Sequence, residues 1–224
     1  MALSSKEVAE QLRCPSGATG VAFGQAMGLR NLTMILSALD GLGLPDVACD
    51  RPRLLEQGCG SAGHLGYTLS QHPGLSYTGV EISPTMVDEA RSFNQPFIAA
   101  GRADFLCCAG DVFPLPDAHF DRALSVNTAY FWNDPQATLG EFARVLRPGG
   151  LLCLSFAESH FMRSLSFTRH GFRILDADDV LSWVERAGLP LDFLAKSDER
   201  DLAVSEHGHL VERPYVNLLL RRGT

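Results

Sequence analysis

The chain lacks any C-x-x-C pair. Its six cysteines, Cys14, Cys49, Cys59, Cys107, Cys108 and Cys153, have neither metal-ribbon nor redox spacing. That excludes zinc-ribbon and thioredoxin-type chemistry, and no metal is implied. Several of these cysteines stand inside apolar runs, where a thiol behaves as a small hydrophobe. No apolar run reaches about 18 residues, so no membrane span is expected. Lys6, Glu7 and Glu10 precede any long apolar stretch. That speaks against a secretory leader and makes the cytoplasm, with reduced thiols, the expected location. Positive charge is also scarce, with 19 Lys and Arg against 26 Asp and Glu and a net charge of −7. Such a surface repels polyanions, so no nucleic-acid partner is expected. Internal repeats and low-complexity tracts are missing as well.

The 224 residues, 46% of them hydrophobic, suffice for one globular domain with a small appendage. Before residue 50 the pattern is helical: Leu29, Leu32, Ile35, Leu36 and Leu39 recur at three-to-four spacing until Gly41, Gly43 and Pro45 stop the helix. Cys14 to Gly20 reads as a loop. From residue 53 strands and helices alternate. Strands are expected at 54–55, 75–81, 104–109, 120–126, 151–157, 191–195 and 215–220. Helices are expected at 63–71, 84–93, 136–146 and 178–187, with Ser83 capping the second and Pro84 in its first turn. The alternation predicts a Rossmann-like α/β fold, a seven-stranded, mostly parallel sheet with helices on both faces. No helix separates the last two strands. The polar run Ser197 to His209 reads as the turn of an antiparallel edge hairpin, with His207 and His209 solvated in it. Residues 1–50 are expected to form an N-terminal helical cap, and residues 51–224 the ligand-binding domain.

The first strand ends in Glu56, and a glycine-rich turn follows: Gln57-Gly58-Cys59-Gly60-Ser61-Ala62-Gly63. In open parallel sheets, ligands bind at the carboxyl ends of strands where strand order reverses. Gly58-x-Gly60-x-x-Gly63 fits a dinucleotide fingerprint, but an acid directly before the turn would repel a pyrophosphate. It would not repel a cationic amino-acid group.

These residues and those that follow resemble the class I S-adenosylmethionine-dependent methyltransferases, in the small-molecule branch that includes the quinone-type methyltransferases. The resemblance spans roughly residues 50–195. Leu54 to Gly60 looks like the loop that wraps the methionine part of the cofactor in that family; Ala62 departs from it, since the third glycine falls at Gly63. The resemblance implies that Glu81 accepts from both ribose hydroxyls, a task suited to the two oxygens of a carboxylate, and that Ile82 and Met86 pack on adenine. It implies that Asp111, in Gly110-Asp111-Val112, accepts from the adenine amino group while the next backbone N–H contacts the ring. Arg144-Val145-Leu146-Arg147-Pro148-Gly149-Gly150 matches a structural signature of the family that turns the chain into its fifth strand.

The acceptor is expected at the end of the fourth strand. Asn127 either contacts the cofactor or orients the acceptor. Tyr130 and Trp132 either line an aromatic pocket, whose faces attract a sulfonium, or fill core. His160 is a candidate general base, with a plain surface histidine as the alternative, and Tyr130 is the second catalytic candidate. Residues 158–174 correspond to a substrate lid in the family. Phe23, Met27 and Asn31, four apart on one helical face, either cover cofactor and acceptor or serve as core.

The expected activity is transfer of the methyl group of S-adenosylmethionine to a small molecule by in-line displacement, leaving S-adenosylhomocysteine. Alignment supplies much of the rate in such a reaction. Two other readings stay open: a non-catalytic scaffold of the same fold, and a nicotinamide-dependent oxidoreductase. The motifs leave the acceptor and the oligomeric state unspecified.

Overall fold

The strand segments pair into one sheet because their apolar residues face helices on both sides. The computed structural model describes residues 3–44, 51–108, 111–205 and 208–224; Pro45, Cys49, Gly110, His207 and the expected domain boundary at residue 50 lie outside them. The strands are β1 (Arg53–Gln57), β2 (Ser76–Glu81), β3 (Ala103–Cys107), β4 (Phe120–Val126), β5 (Leu146–Ala157), β6 (Leu191–Val204) and β7 (Leu210–Arg222). Their order is β3-β2-β1-β4-β5-β7-β6. The first five run parallel, while β7 is antiparallel to both β5 and β6. The order reverses between β1 and β4, and that is where an open α/β sheet holds its ligand.

The helices are α1 (Ser5–Arg13), α2 (Gly17–Arg30), α3 (Leu32–Gly41), α4 (Leu65–Gln71), α5 (Pro84–Phe93), α6 (Gln95–Ala99), α7 (Pro135–Val145), α8 (Ser159–Arg163) and α9 (Ala177–Ala187). Several starts are written in the sequence. Ser83 accepts from Met86 N at 3.1 Å behind Pro84. The Asp134 carboxylate accepts from Gln136 N and Ala137 N, both at 3.0 Å. Asp176 and Asp179 form a reciprocal box at the start of α9, which stops at Gly188 in the left-handed region.

Successive strand residues face opposite sides. Leu54 therefore joins one core with residues of α3, α4 and α5, while Leu55 joins another with residues of α7 and α9. The expected helix through Leu29–Leu39 is broken at Asn31, and its two halves have different jobs. Met34, Ile35, Ala38 and Leu39 of α3 are buried in the sheet core, whereas α2 packs over α5. Among residues 3–44, α3 thus belongs to the sheet core and α2 covers α5. The expected loop at Cys14–Gly20 is also shorter, since Gly17 already opens α2.

Two strand boundaries moved for identifiable reasons. β5 starts at Leu146, and the Arg147–Gly150 segment is a bulge: the register passes from Phe120↔Leu146 to Arg122↔Leu151. The polar run from Ser197 continues β6 through Val204, paired with β7 as far as Leu210. An edge strand leaves much of its side-chain surface in water, so charges fit there without a turn.

Candidate active site

A cavity of about 920 Å³ opens at the carboxyl ends of β1, β2 and β4. That is near the upper end of the roughly 300–1,000 Å³ range of small-ligand pockets. Its floor is the turn after β1. Gly58 (φ +72°) and Gly60 (φ +54°) both need the left-handed conformation, and a Cβ at Gly58 would strike the Thr128 methyl. A Cβ at Gly60 would meet nothing within 4 Å, so this backbone faces open space.

Glu81 ends β2 beside that turn with only 7% of its surface exposed. It accepts Gly60 N and Ser83 N, each at 3.0 Å. Burial raises its carboxyl above the usual range, and the two backbone N–H groups partly offset this. Glu56 points to the other side of β1. Its Oε2 accepts the Tyr77 hydroxyl at 2.5 Å and stands 3.0 Å from His64 Nε2 without hydrogen-bond geometry. Cys59 is buried, and burial with the nearby Glu81 and Glu56 charges pushes its thiol well up, so it is no nucleophile.

Gln57, closing β1, turns toward β4. Its Oε1 accepts from Ser125 Oγ at 2.9 Å, Thr128 Oγ1 at 3.1 Å and Trp132 Nε1 at 3.0 Å. Trp132 is buried and also lines the cavity. Asp111 lines the cavity and accepts the Thr138 hydroxyl at 3.3 Å. Ile82 is partly exposed at the cavity wall; Met86 is buried, with its sulfur against Gly24 of α2.

Several sequence expectations need correction. The Val112 side chain is 72% exposed and does not line the cavity, which leaves its backbone N–H as the expected contact. His160 is also outside it: α8 turns the ring to solvent, with Nδ1 3.1 Å from Glu158 Oε2. Tyr130 lines the cavity, but its hydroxyl receives Ala157 N at 2.7 Å and meets Asn127 Oδ1 at 3.1 Å. Burial pushes that phenol well above its ordinary value. Neither candidate base is therefore placed to take a proton. The Asn127 side chain is spent on protein partners, as its Nδ2 donates to Asn31 Oδ1 at 3.1 Å. That leaves backbone as its means of touching a ligand.

The roof comes from α1, α2, the 158–174 segment expected as a lid, and a hairpin tip that the sequence hid. Phe23 and Met27 of α2, and Asn31 just after it, all line the cavity. So do Val8 and Leu12 of α1, whose four-residue spacing was the available signal. Phe131, Phe161, Phe167 and Phe172 form an apolar wall, with Phe131 and Phe172 ring centroids 4.5 Å apart. The last part is the hairpin tip, Ala203 to Ser205, held by Arg213 of β7. Arg213 bonds Asp201 at 2.8 and 2.5 Å, Arg30 O at 2.7 Å and Asn31 Oδ1 at 3.0 Å.

Residues 55–154 match the family described as "Methyltransferase domain". An O-methyltransferase of Pyrenophora dematioidea is 26% identical over 200 residues, covering 75% of this chain and 74% of that protein. A fatty-acid O-methyltransferase of Mycolicibacterium smegmatis is 30% identical over 109 residues, 49% of this chain and 38% of its own length. Other curated relatives are matched over 27% to 63% of their length. Among solved structures, geranyl diphosphate C-methyltransferase from Streptomyces coelicolor A3(2), in complex with Mg2+, geranyl diphosphate and S-adenosylhomocysteine, aligns with a TM-score of 0.68. It is 16% identical, over 95% of this chain and 88% of that one. The nicotinamide reading finds no counterpart in these matches. Across the point where the strand order reverses, residues 55–154 thus form a methyltransferase domain similar to those of the class I, S-adenosylmethionine-dependent methyltransferases.

Proposed function

We propose that the chain methylates a small, largely apolar acceptor, and that its cavity holds donor and acceptor side by side. The observation that carries this is the division of one cavity. Its floor joins open glycine backbone to the buried acids of β1 and β2, while its wall is phenylalanine and aliphatic. The open face at Gly60 and the almost dehydrated carboxylate of Glu81 fit an adenosyl ligand. Glu81 would accept from its ribose hydroxyls and Asp111 from its adenine amino group, with Ile82 against the ring. Bound there, S-adenosylmethionine supplies an electrophilic methyl group on a sulfonium.

The remaining work belongs to the protein. The phenylalanine wall and the α1–α2 roof exclude water and orient the acceptor, which can supply much of a displacement's rate. With the Tyr130 hydroxyl committed to backbone and His160 outside, the site favours an acceptor whose nucleophile needs no proton removed by either residue. A carboxylate on an apolar body has that property, and a fatty-acid O-methyltransferase is among the relatives. The five described cysteines are free thiols, which suits a cytoplasmic setting.

Calorimetry with S-adenosylhomocysteine, followed by turnover of labelled S-adenosylmethionine on a panel of apolar acids and phenols, tests the proposal. Cofactor binding with methyl transfer to an apolar acid is the expected result. Folded protein that ignores S-adenosylhomocysteine would refute it. Binding without turnover of any acceptor would favour a scaffold instead.

A further inference from the structure

The turn after β1 repeats one backbone conformation at every second residue. Gly58, Gly60 and Ala62 have φ of +72°, +54° and +48°. Glycine adopts that left-handed form freely, whereas an L side chain does so at a cost. Ala62 is therefore the strained member, and its side chain is buried in the core. Without support this residue would relax to a negative φ, and the cavity-lining residues Ser61 and His64 would move with it.

The support comes from a residue 32 positions on. Asn94 ends α5 and has none of its surface exposed. Its Nδ2 donates to Ser61 O at 3.3 Å, to Ala62 O at 3.4 Å and to Ala90 O at 2.9 Å. A carbonyl only accepts, so these three partners fix which end of the amide is the NH2 group. The other end, Oδ1, is buried with no partner among the described residues. A buried orphan acceptor is costly, so what retains an amide here is the work of its NH2 group.

We infer that Asn94 is a positioning residue for methyl transfer: by holding Ser61 and Ala62 it keeps the turn in the left-handed form that takes up the methyl donor. The inference rests on the donor-site reading above. Asn94 makes no contact with the ligand and acts through the turn alone. Only the held form binds, so the apparent affinity scales with the fraction of molecules that have it. Asn94 raises that fraction against the strain at Ala62.

A double-mutant cycle separates this role from a merely structural one. Asn94→Leu removes the donor and the orphan oxygen together, so a loss of affinity need not follow a loss of stability. In calorimetry on the full chain, this variant should bind S-adenosylhomocysteine at least about fivefold more weakly than the parent. A residue without Cβ needs no such support, so Ala62→Gly should return most of that loss. Its gain in the Asn94→Leu background should exceed its effect on the parent by at least about threefold. Unchanged affinity in Asn94→Leu overturns the inference, whatever a urea titration shows for its stability. An equal effect of Ala62→Gly in both backgrounds overturns it too, because Asn94 would then act on something other than this turn. Should Asn94→Leu fail to fold, Asn94→Ala is read by the same cycle. A folded parent that binds no S-adenosylhomocysteine rejects the donor site itself, and the inference with it.

Discussion

Glu81 is a carboxylate that the fold keeps almost out of water, with two backbone N–H groups for company. Its carboxyl is raised, so the folded protein holds this proton more tightly than the unfolded chain does. The stability linked to it is fully present below the ordinary carboxylate range and is lost as pH rises through the folded value. Urea titrations of the parent and of Glu81→Gln at several pH values should therefore show the parent losing ground as pH rises; the opposite slope would contradict the burial argument. The same variant should bind S-adenosylhomocysteine at least about tenfold more weakly, since a charged acceptor is lost. Tyr130 makes the contrasting case. Tyr130→Phe leaves the Ala157 N–H with only its longer bond to Asn127 Oδ1, at 3.4 Å, and should cost about 0.5–1.5 kcal/mol in denaturant melts. It should leave the pH profile of methyl transfer unmoved. The sequence exposed Glu56, Glu81 and Asp111 because acids at strand ends are local signals. It could not show that the Tyr130 hydroxyl belongs to a backbone group 27 positions on, or that α8 turns His160 outward.

Elements were legible where a local rule governs them. The cap at Ser83 set a helix start, and alternation with helices predicted the parallel sheet. The β6–β7 hairpin was read too short because Ser197–Asp201 is polar, and polarity alone does not separate a turn from an edge strand. What stabilises the long form is remote in sequence: Arg213 of β7 meets Asp201 of β6 and the last carbonyl of α2. Both ionic partners are more than nine-tenths buried at the side chain. Removing one leaves the other charged and dehydrated. Arg213→Ala should thus destabilise the protein by about 3–5 kcal/mol, and Arg213→Lys should recover only part of it, because the planar fork is lost. Chemical denaturation of the two variants measures both, and a loss below about 1 kcal/mol would show the pair to be effectively solvated.

At the scale of the molecule, fold class follows from the order of strand and helix signals, whereas the cavity does not. Its walls come from α1, α2, the β4 loop, residues 161–172 and the hairpin tip, and only tertiary packing gathers them. Filling that cavity should stabilise the whole. At S-adenosylhomocysteine concentrations about a hundredfold over Kd, the gain is about 2.7 kcal/mol, or roughly 5–10 °C in a thermal melt. No shift would show that the folded chain does not bind the ligand.

The joint between α2 and α3 carries a further consequence. Asn31 Oδ1 receives Asn127 from the end of β4 and Arg213 from the hairpin, so one amide oxygen ties the floor of the site to its outermost strand pair. Ligand binding that strengthens those two hydrogen bonds must itself be strengthened by them to the same extent. Amide hydrogen exchange at Leu202–Val204 and at Leu210 should then slow when S-adenosylhomocysteine binds, although these residues lie on the edge hairpin rather than on the strand ends that hold the ligand. Asn31→Ala should abolish the slowing while leaving a site that still fills.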